Sequence, residues 1–547
     1  MSRNSRSKSI IENAAVLFIA MAITKAVGAM LKIPLGNILG GLGMSYFSSA
    51  YSVFGPVFAL TAAAVPTVLS RIIAGEVAIG KFKNVRKIRR IVLSYAAMLG
   101  FCGTILILVI TVPFARIVTD APKSIPSMLL IAPSVFFCCI AAVYRGYYEG
   151  LLNALPTAIS QVVEAVVKSV LGVTFAYIVL NKTDSLSYAA AAAVLGITIS
   201  EIAGMLFLFF RSFSSDGITK EELDLSPPSD SAVSLLKKFL SEAFPITLGA
   251  LAINLNSLID LLTITGSINY AVNNNRAFFL ARFTYELASG VESKELGNFI
   301  YGCYTGIVAS IFTLIPAMTG MLGKSALPAV AAAWERRDTT GINRNLRILF
   351  KGTFVLGLPL CLGMAAFAKP VLNLLYSAKP AEAYVCVQPL FILSLGGIAL
   401  SLTGTLFSIF LAIGRADLPV KLMLTGAIIK LCLNLLLIRI PELNISGAAI
   451  ATIGCYAIIC VFGMICLKRL ARVKIGIPVF FVKAFFNSIL CIFTALIFYN
   501  YVFMGSGRVF QLALSVITGA GVYAMGTFVF DRNAFTGYFS RLQKAKK

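Results

Sequence analysis

The chain has 547 residues, of which 58% are hydrophobic and 13% charged, whereas soluble domains carry about 25% charged residues. This composition excludes a string of soluble domains and specifies an integral membrane protein, with its polar residues in loops and at a few positions inside the spans. Lys and Arg number 47 against 23 Asp and Glu, a net charge of +24, and there is no histidine, which removes imidazole catalysis, metal ligation and proton relay together.

Cutting the chain at charged and Pro/Gly-rich interruptions leaves fourteen apolar segments, each able to cross a hydrocarbon core of about 30 Å. Their approximate limits are 10–34, 44–74, 91–115, 125–146, 157–180, 188–210, 240–264, 299–334, 348–368, 384–413, 420–440, 447–467, 477–503 and 509–530. The eighth is long, with kinks expected at Pro316 and Pro328. The start MSRNSRSKS imitates a signal peptide, but the apolar run behind it extends to Pro34 and is read as the first helix. With the amino terminus inside, the loops assigned to the cytoplasm hold 28 Lys and Arg and the opposite loops 9. Basic residues are retained on the cytoplasmic side during insertion, so both termini are predicted there. Most of the charge therefore sets topology, with the rows Arg86 to Arg90 and Lys468 to Lys474 facing anionic lipid headgroups. No nucleic-acid partner is implied.

Residues 211–239, containing DGITKEELDLSPPSDS, are the most polar stretch and read as a linker between halves. The outer loop 265–298 is the longest on its side, and its FFLARFTYEL is predicted as a short surface helix. Eleven cysteines lie in apolar runs without CxxC spacing and read as small hydrophobes, not disulfides or metal ligands.

Three pairs of segments match in order and at nearly constant offset. Ala64-Val65-Pro66-Thr67-Val68 matches Ala326-Leu327-Pro328-Ala329-Val330; NALPTAISQVVEAVVK from Asn153 matches RADLPVKLMLTGAIIK from Arg415; AAAVLGIT from Ala191 matches GAAIATIG from Gly447. The expected fold is thus all-α, with two six-helix lobes related as a parallel repeat, 1–210 and 240–467, joined by the linker 211–239. Two further helices and a basic tail follow in 468–547.

A charge near the bilayer centre costs about 2.5–3.5 kcal/mol on insertion scales, so each one requires a reason. Lys25 and Lys32 lie seven residues apart on one face of the first span, with Gly28 between them. Lys25 is mid-span and is read as facing an aqueous cavity; Lys32 either does the same or snorkels to the headgroups. The fifth span carries Gln161, Glu164 and Lys168. Glu164 and Lys168 either neutralise each other at i,i+4 or exchange partners between inward and outward states, with Glu201 of the sixth span as a further partner. Asp260, near the expected outer end of the seventh span, is interfacial or functional. Lys324 near Pro328 is a second cationic wall or a structural residue. Lys430 lies mid-helix in the second lobe, whereas Arg71, Arg145, Lys421 and Arg439 read as interfacial anchors and Glu242 as a helix-start carboxylate. A cationic cavity suits a phosphate or pyrophosphate headgroup, since one Lys about 4 Å from one negative charge gains about 4 kcal/mol before desolvation.

ITKAVGAMLKIPLGNILGGLGMSYF in the first span, AAAVPTVLSRIIAG in the second and YRGYYEGLLNALPTAISQVVEAVVK from Tyr144 resemble the polysaccharide and lipid II flippase branch of the multidrug/oligosaccharidyl-lipid/polysaccharide exporter superfamily. The resemblance covers essentially the whole chain, including the last two helices. It implies a two-lobed alternating-access transporter that moves a polyprenyl-linked sugar precursor outward across the bacterial cytoplasmic membrane, with membrane lipids as its surroundings. It also implies that Lys25 and Lys32 meet the pyrophosphate, Lys standing where relatives commonly have Arg. The eighth span departs from the family, with Tyr301-Gly302-Cys303-Tyr304-Thr305-Gly306 where relatives often carry charge. No cofactor, metal or ATPase subunit is implied, so the energy source is an ion gradient, the membrane potential or product consumption. A cation or drug antiporter of the same superfamily and a polyprenyl-phosphate glycosyltransferase are the alternative readings.

Overall fold

The computed structural model describes the main chain of residues 3–214, 218–283, 291–471, 477–505 and 507–530. Within these it describes every side chain except those of residues 3–19, 21, 22, 25, 26, 29, 30, 118, 214, 220, 324–326, 328, 477, 478 and 530. Secondary structure among the described residues is helical throughout. The chain forms two compact units, Met1–Ile311 with Pro419–Ala448, and Phe312–Leu418 with Ala449–Lys547.

The first unit begins with α1 (Arg3–Thr61). Fifty-nine residues of continuous α-helix would measure about 88 Å, far more than one bilayer core. The chain breaks the rod at Gly40, where φ is +62° and ψ −171°, a conformation that glycine adopts without steric cost. The expected second span, 44–74, is itself interrupted. Pro66 has no N–H to give the Ala62 carbonyl, so α1 stops at Thr61 and α2 (Val65–Ala78) starts after a tight turn in which the Val65 amide bonds Ala62 instead.

Then come α3 (Phe82–Pro113), α4 (Ile125–Gly150), α5 (Leu155–Thr183) and α6 (Leu186–Ser214). Small residues let these helices touch, as is usual where lipid supplies no hydrophobic drive between them. A Cβ on Gly100 of α3 would stand 2.9 Å from the Phe136 main chain of α4, and one on Gly196 of α6 would stand 2.6 Å from the Gly172 nitrogen of α5. The linker holds the short α7 (Lys220–Asp224), started by a capping box between Thr219 and Glu222.

Helix α8 (Ala232–Asn274) runs ten residues beyond the expected end of the seventh span because Ile264, Ile268, Ala271 and Val272 keep a buried face. The predicted surface helix, 278–287, falls in part on residues 284–287, which lie outside the described residues; its first part is α9 (Arg276–Arg282), and it is anchored: Phe279 is fully buried, stacks on Phe283, and Arg282 donates to the Pro441 and Glu442 carbonyls. The unit also includes α10 (Leu296–Gly302), a π-helical turn at Cys303–Val308 and most of α11 (Ala309–Phe312).

The second unit continues with α12 (Leu314–Glu335), after a break at Thr313 that leaves the Phe312 carbonyl without a donor from Pro316. The helix runs on through Pro328, where a second kink was expected. It is followed by α13 (Thr339–Ala366), α14 (Ala368–Leu375), α15 (Pro380–Leu395) and α16 (Gly397–Ala412). The tenth expected span is bent by 49° between α15 and α16 at Gly396, against which Ile453 packs so closely that a Cβ would fall 2.3 Å away. Helix α17 (Asp417–Leu437) belongs to the first unit from Pro419 on. The second unit ends with α18 (Ile445–Ala471), α19 (Ile477–Ile497) and α20 (Arg508–Phe530).

Eleven helices among the described residues are long and apolar enough to cross a membrane, or thirteen when two bent pairs each count as one span. The expected fourteen included residues 10–34, most of whose side chains lie outside the described set.

Candidate functional site

Two ionic clusters are buried within the spans of the first unit. In the first, α4 aims Arg145 at α5, where Ser160 and Glu164 stand one turn apart on the same face. The guanidinium donates through Nη2 to Glu164 Oε1 and through Nε to Ser160 Oγ at 3.2 Å. Glycine on α6 makes room for the carboxylate, since a Cβ on Gly204 would stand 2.3 Å from Glu164 Oε1. On the same helix Glu201 accepts the Cys138 thiol at 3.1 Å.

Arg145 is therefore no interfacial anchor. It supplies the ion pair that the sequence reading assigned to Lys168, which lies beyond ion-pair distance of Glu164 but within electrostatic reach of Glu164, Glu201 and Tyr51. The next residue, Ser169, donates to the Val27 carbonyl at 3.0 Å, and Gly172 one turn on packs against Leu31. Lys168 thus lies at the level of α1 that bears Lys25, Gly28 and Lys32. Lys32 is half-buried; the side chains of Lys25 and Lys324 lie outside the described residues.

The second cluster joins α8 to α17. Asp260 Oδ2 accepts Lys430 Nζ at 2.7 Å, and Asp260 Oδ1 accepts Asn434 Nδ2 at 3.2 Å; the same amide donates to Thr263 Oγ1 at 2.8 Å. Lys430 also reaches the Asn256 carbonyl at 3.5 Å and is only 3% exposed. Asp260 is itself buried between α8 and α17, and α8 continues beyond it to Asn274. The side-chain amide of Asn256 and Asn434 Oδ1 are buried and make no hydrogen bond with any described residue.

Beside these clusters, α10 and the π turn cross α1 at close quarters. Tyr301 and Ser52 hydroxyls lie 3.1 Å apart, and a Cβ on Gly302 would fall 1.8 Å from the Gly41 carbonyl oxygen. The uncharged Tyr301–Gly306 stretch is thus given over to helix packing.

The linker is held down separately. Asn84 of α3, fully buried, donates to Glu76 Oε2 at 2.9 Å and Asp230 Oδ2 at 2.8 Å and accepts the Asp230 amide at 2.8 Å, while Lys238 bonds Glu76 Oε1 at 2.8 Å. Asn84 and then Lys81 hold the Asp230 carboxyl below its usual range.

Sequence reasoning found Glu164, Lys168, Glu201, Asp260 and Lys430 as intramembrane charges but did not pair Asp260 with Lys430, 170 residues away. It also missed Arg145 as Glu164's partner. A signal was present in the repeat, where Lys168 and Lys430 end the matched segments from Asn153 and Arg415.

The chain matches the family model for polysaccharide biosynthesis protein over residues 10–331 and that for lipid II flippase MurJ over residues 310–518. It is 23% identical over 526 residues to stage V sporulation protein B of Bacillus subtilis, covering 96% of each chain. Among solved structures it resembles lipid II flippase MurJ in an inward closed conformation, with a TM-score of 0.66 and 14% identity over 96% of this chain and 100% of that one. An inward-facing multidrug resistance MATE family transporter gives a TM-score of 0.64 and 16% identity over 83% and 98%. These structural likenesses establish a common fold.

Proposed function

We propose, from the premise that the chain belongs to the polysaccharide biosynthesis protein family, that it flips a polyprenyl-linked cell-envelope glycan precursor across the cytoplasmic membrane by alternating access. The protein is a multi-pass membrane transporter of the flippase branch of the multidrug/oligosaccharidyl-lipid/polysaccharide exporter superfamily, not an enzyme. The substrate class, the orientation with both termini cytoplasmic and the residue roles below are our reading.

The observation that carries it is a contrast in charge. Lys430 faces a carboxylate on α8, whereas its counterpart Lys168 lies against α1, whose only charged residues from Asn13 to Ser70 are Lys25 and Lys32. Helix α1 brings positive charge and no carboxylate to this layer, which suits a substrate that supplies the anion itself: the pyrophosphate of a lipid-linked glycan. In this reading Lys25 and Lys32 contact the phosphates, with Lys324 as a further cationic contact, while sugars pass through the protein and the polyprenyl tail stays in lipid. Glu164, Lys168 and Glu201 with Arg145 form the ion pairs that rearrange during the cycle, in place of histidine, while Asp260 with Lys430 ties α8 to α17.

The test is reconstitution of the full chain in vesicles with labelled lipid-linked glycans, reading headgroup translocation. Lys25→Ala and Lys32→Ala are each expected to slow it about tenfold, the loss of one charge-assisted contact. Unchanged rates in both variants would overturn the headgroup assignment. Drug efflux without glycan translocation would replace the whole reading by a cation antiporter.

A further inference from the structure

Helix α8 is attached at two places, and the attachments differ in kind. Beyond its middle, Asp260 and Lys430 bind it to α17 through two enclosed side chains, 13% and 4% exposed. At its start the attachment is a strap, residues 226–238, laid across the turn between α2 and α3 and the first turns of α3. The Lys83 amide donates to Ser226 Oγ at 3.1 Å, and Lys83 Nζ to the Ser226 carbonyl at 2.8 Å. Lys87 Nζ donates to the Asp230 carbonyl at 2.6 Å, and Lys81 Nζ lies 3.4 Å from both Asp230 carboxylate oxygens. Asp230 precedes Ser231, whose hydroxyl caps α8 by accepting the Ser234 amide, so the strap acts directly on the start of the helix. Farther along, Lys238 reaches Glu76, and Phe239 packs edge-on against Tyr95 of α3.

The two attachments would cost very different amounts to break. Parting Asp260 from Lys430 leaves two charges buried without partners. Parting α8 from the α2–α3 turn does not. Asn84 and Glu76 both belong to the turn, so the Glu76 carboxylate, 5% exposed, keeps the Asn84 amide after the strap has gone. Of the four charges in the network, Lys81 and Glu76 stay with the turn while Asp230 and Lys238 leave with α8, so each side retains one charge of either sign. The side chains of Lys81, Asp230 and Lys238 are already 33%, 41% and 47% exposed and exchange partners for water at little cost. Lys83 and Lys87 give up only neutral acceptors.

We infer that residues 226–238 form a reversible latch: α8 stays paired with α17 through Asp260 and Lys430, and its first turns detach from the α2–α3 turn when the face that carries the linker opens. The inference rests on the alternating-access reading above and adds to it the element that opens.

Two experiments on the full-length protein test it. In detergent, without substrate, the buried thiol of Ser226→Cys reports whether the strap is seated, through its rate of reaction with a water-soluble maleimide. Asn84→Asp keeps the shape of the hub but sets a third carboxylate against Glu76 and Asp230. It is expected to raise that rate about tenfold, the loss of charge-assisted hydrogen bonds; unchanged labelling overturns the inference. In vesicles, Lys81→Cys/Asp230→Cys, which leaves the main-chain amide of position 230 on Asn84, is closed with a reductant-cleavable bismaleimide. Cross-linking is expected to stop glycan translocation and reductive cleavage to restore it, with each single variant unaffected by the same reagents. Translocation at full rate with the cross-link closed makes the strap a permanent fastening and overturns the inference. If wild-type protein moves drugs and not glycans, the substrate reading falls, and the cross-link is read on efflux instead with the same two outcomes.

Discussion

Lys168 and Lys430 close matching segments of the two halves, yet they live in opposite surroundings. Lys430 is enclosed and its charge is answered by one carboxylate, which also receives the Asn434 amide. Lys168 is half-buried, shares Glu164 and Glu201 with Arg145, and lies against a helix that carries only lysines at that depth. One repeat unit has thus diverged into a closed pair and an open cluster. A closed pair fixes two helices to each other; an open cluster retains capacity for a further charged group.

The comparison predicts a graded set of effects. The largest should follow Lys430→Met, which leaves the Asp260 carboxylate buried without its cation and is expected to cost about 3–5 kcal/mol. Thermal unfolding of the purified protein reads this, and the double variant Asp260→Asn/Lys430→Met should recover much of the loss. If Lys430→Met unfolds at the wild-type temperature, the pair is not closed. Lys168→Met should destabilise by only about 1 kcal/mol, because Arg145 still answers Glu164 and the site is partly open. Its effect should appear in translocation instead; a stability loss as large as that of Lys430→Met would erase the distinction between the two lysines. The smallest change is expected for Asn256→Leu. Its amide makes no hydrogen bond with a described residue, so exchange for an apolar side chain of similar size should alter stability by less than about 0.5 kcal/mol. Loss of transport with stability unchanged would bring Asn256 into the working cycle.

How far the sequence could be read depends on which interactions are local. Spans are local: twenty apolar residues between charged loops announce themselves, and the all-helical membrane architecture follows directly. Breaks within spans were only partly legible. Pro66 and Pro316 each withdraw an N–H, but Pro328 does the same in a helix that runs on, because the neighbourhood decides whether a missing bond becomes a turn. At Gly396 the bend accompanies the close approach of Ile453, 57 residues later in the chain, which no local pattern reveals. The candidate site follows the same rule. Intramembrane charges stand out by composition, but their partners are set by helix neighbours, so Arg145 resembled an anchor until α5 was placed beside it. The i,i+4 spacing of Glu164 and Lys168 suggested a pair, but Arg145, reaching across from α4, donates to both Glu164 and Ser160 and takes the place of Lys168.

The contact between Gly41 and Gly302 offers a different use of the molecule. A methyl group at position 302 has nowhere to go, so Gly302→Ala acts as a wedge that must part α10 from α1 wherever the two meet as they do here. A cell carrying that one-carbon change, grown beside the parent under conditions that require envelope synthesis, would reveal whether growth depends on these helices coming together, with no charge, ligand or loop having been touched.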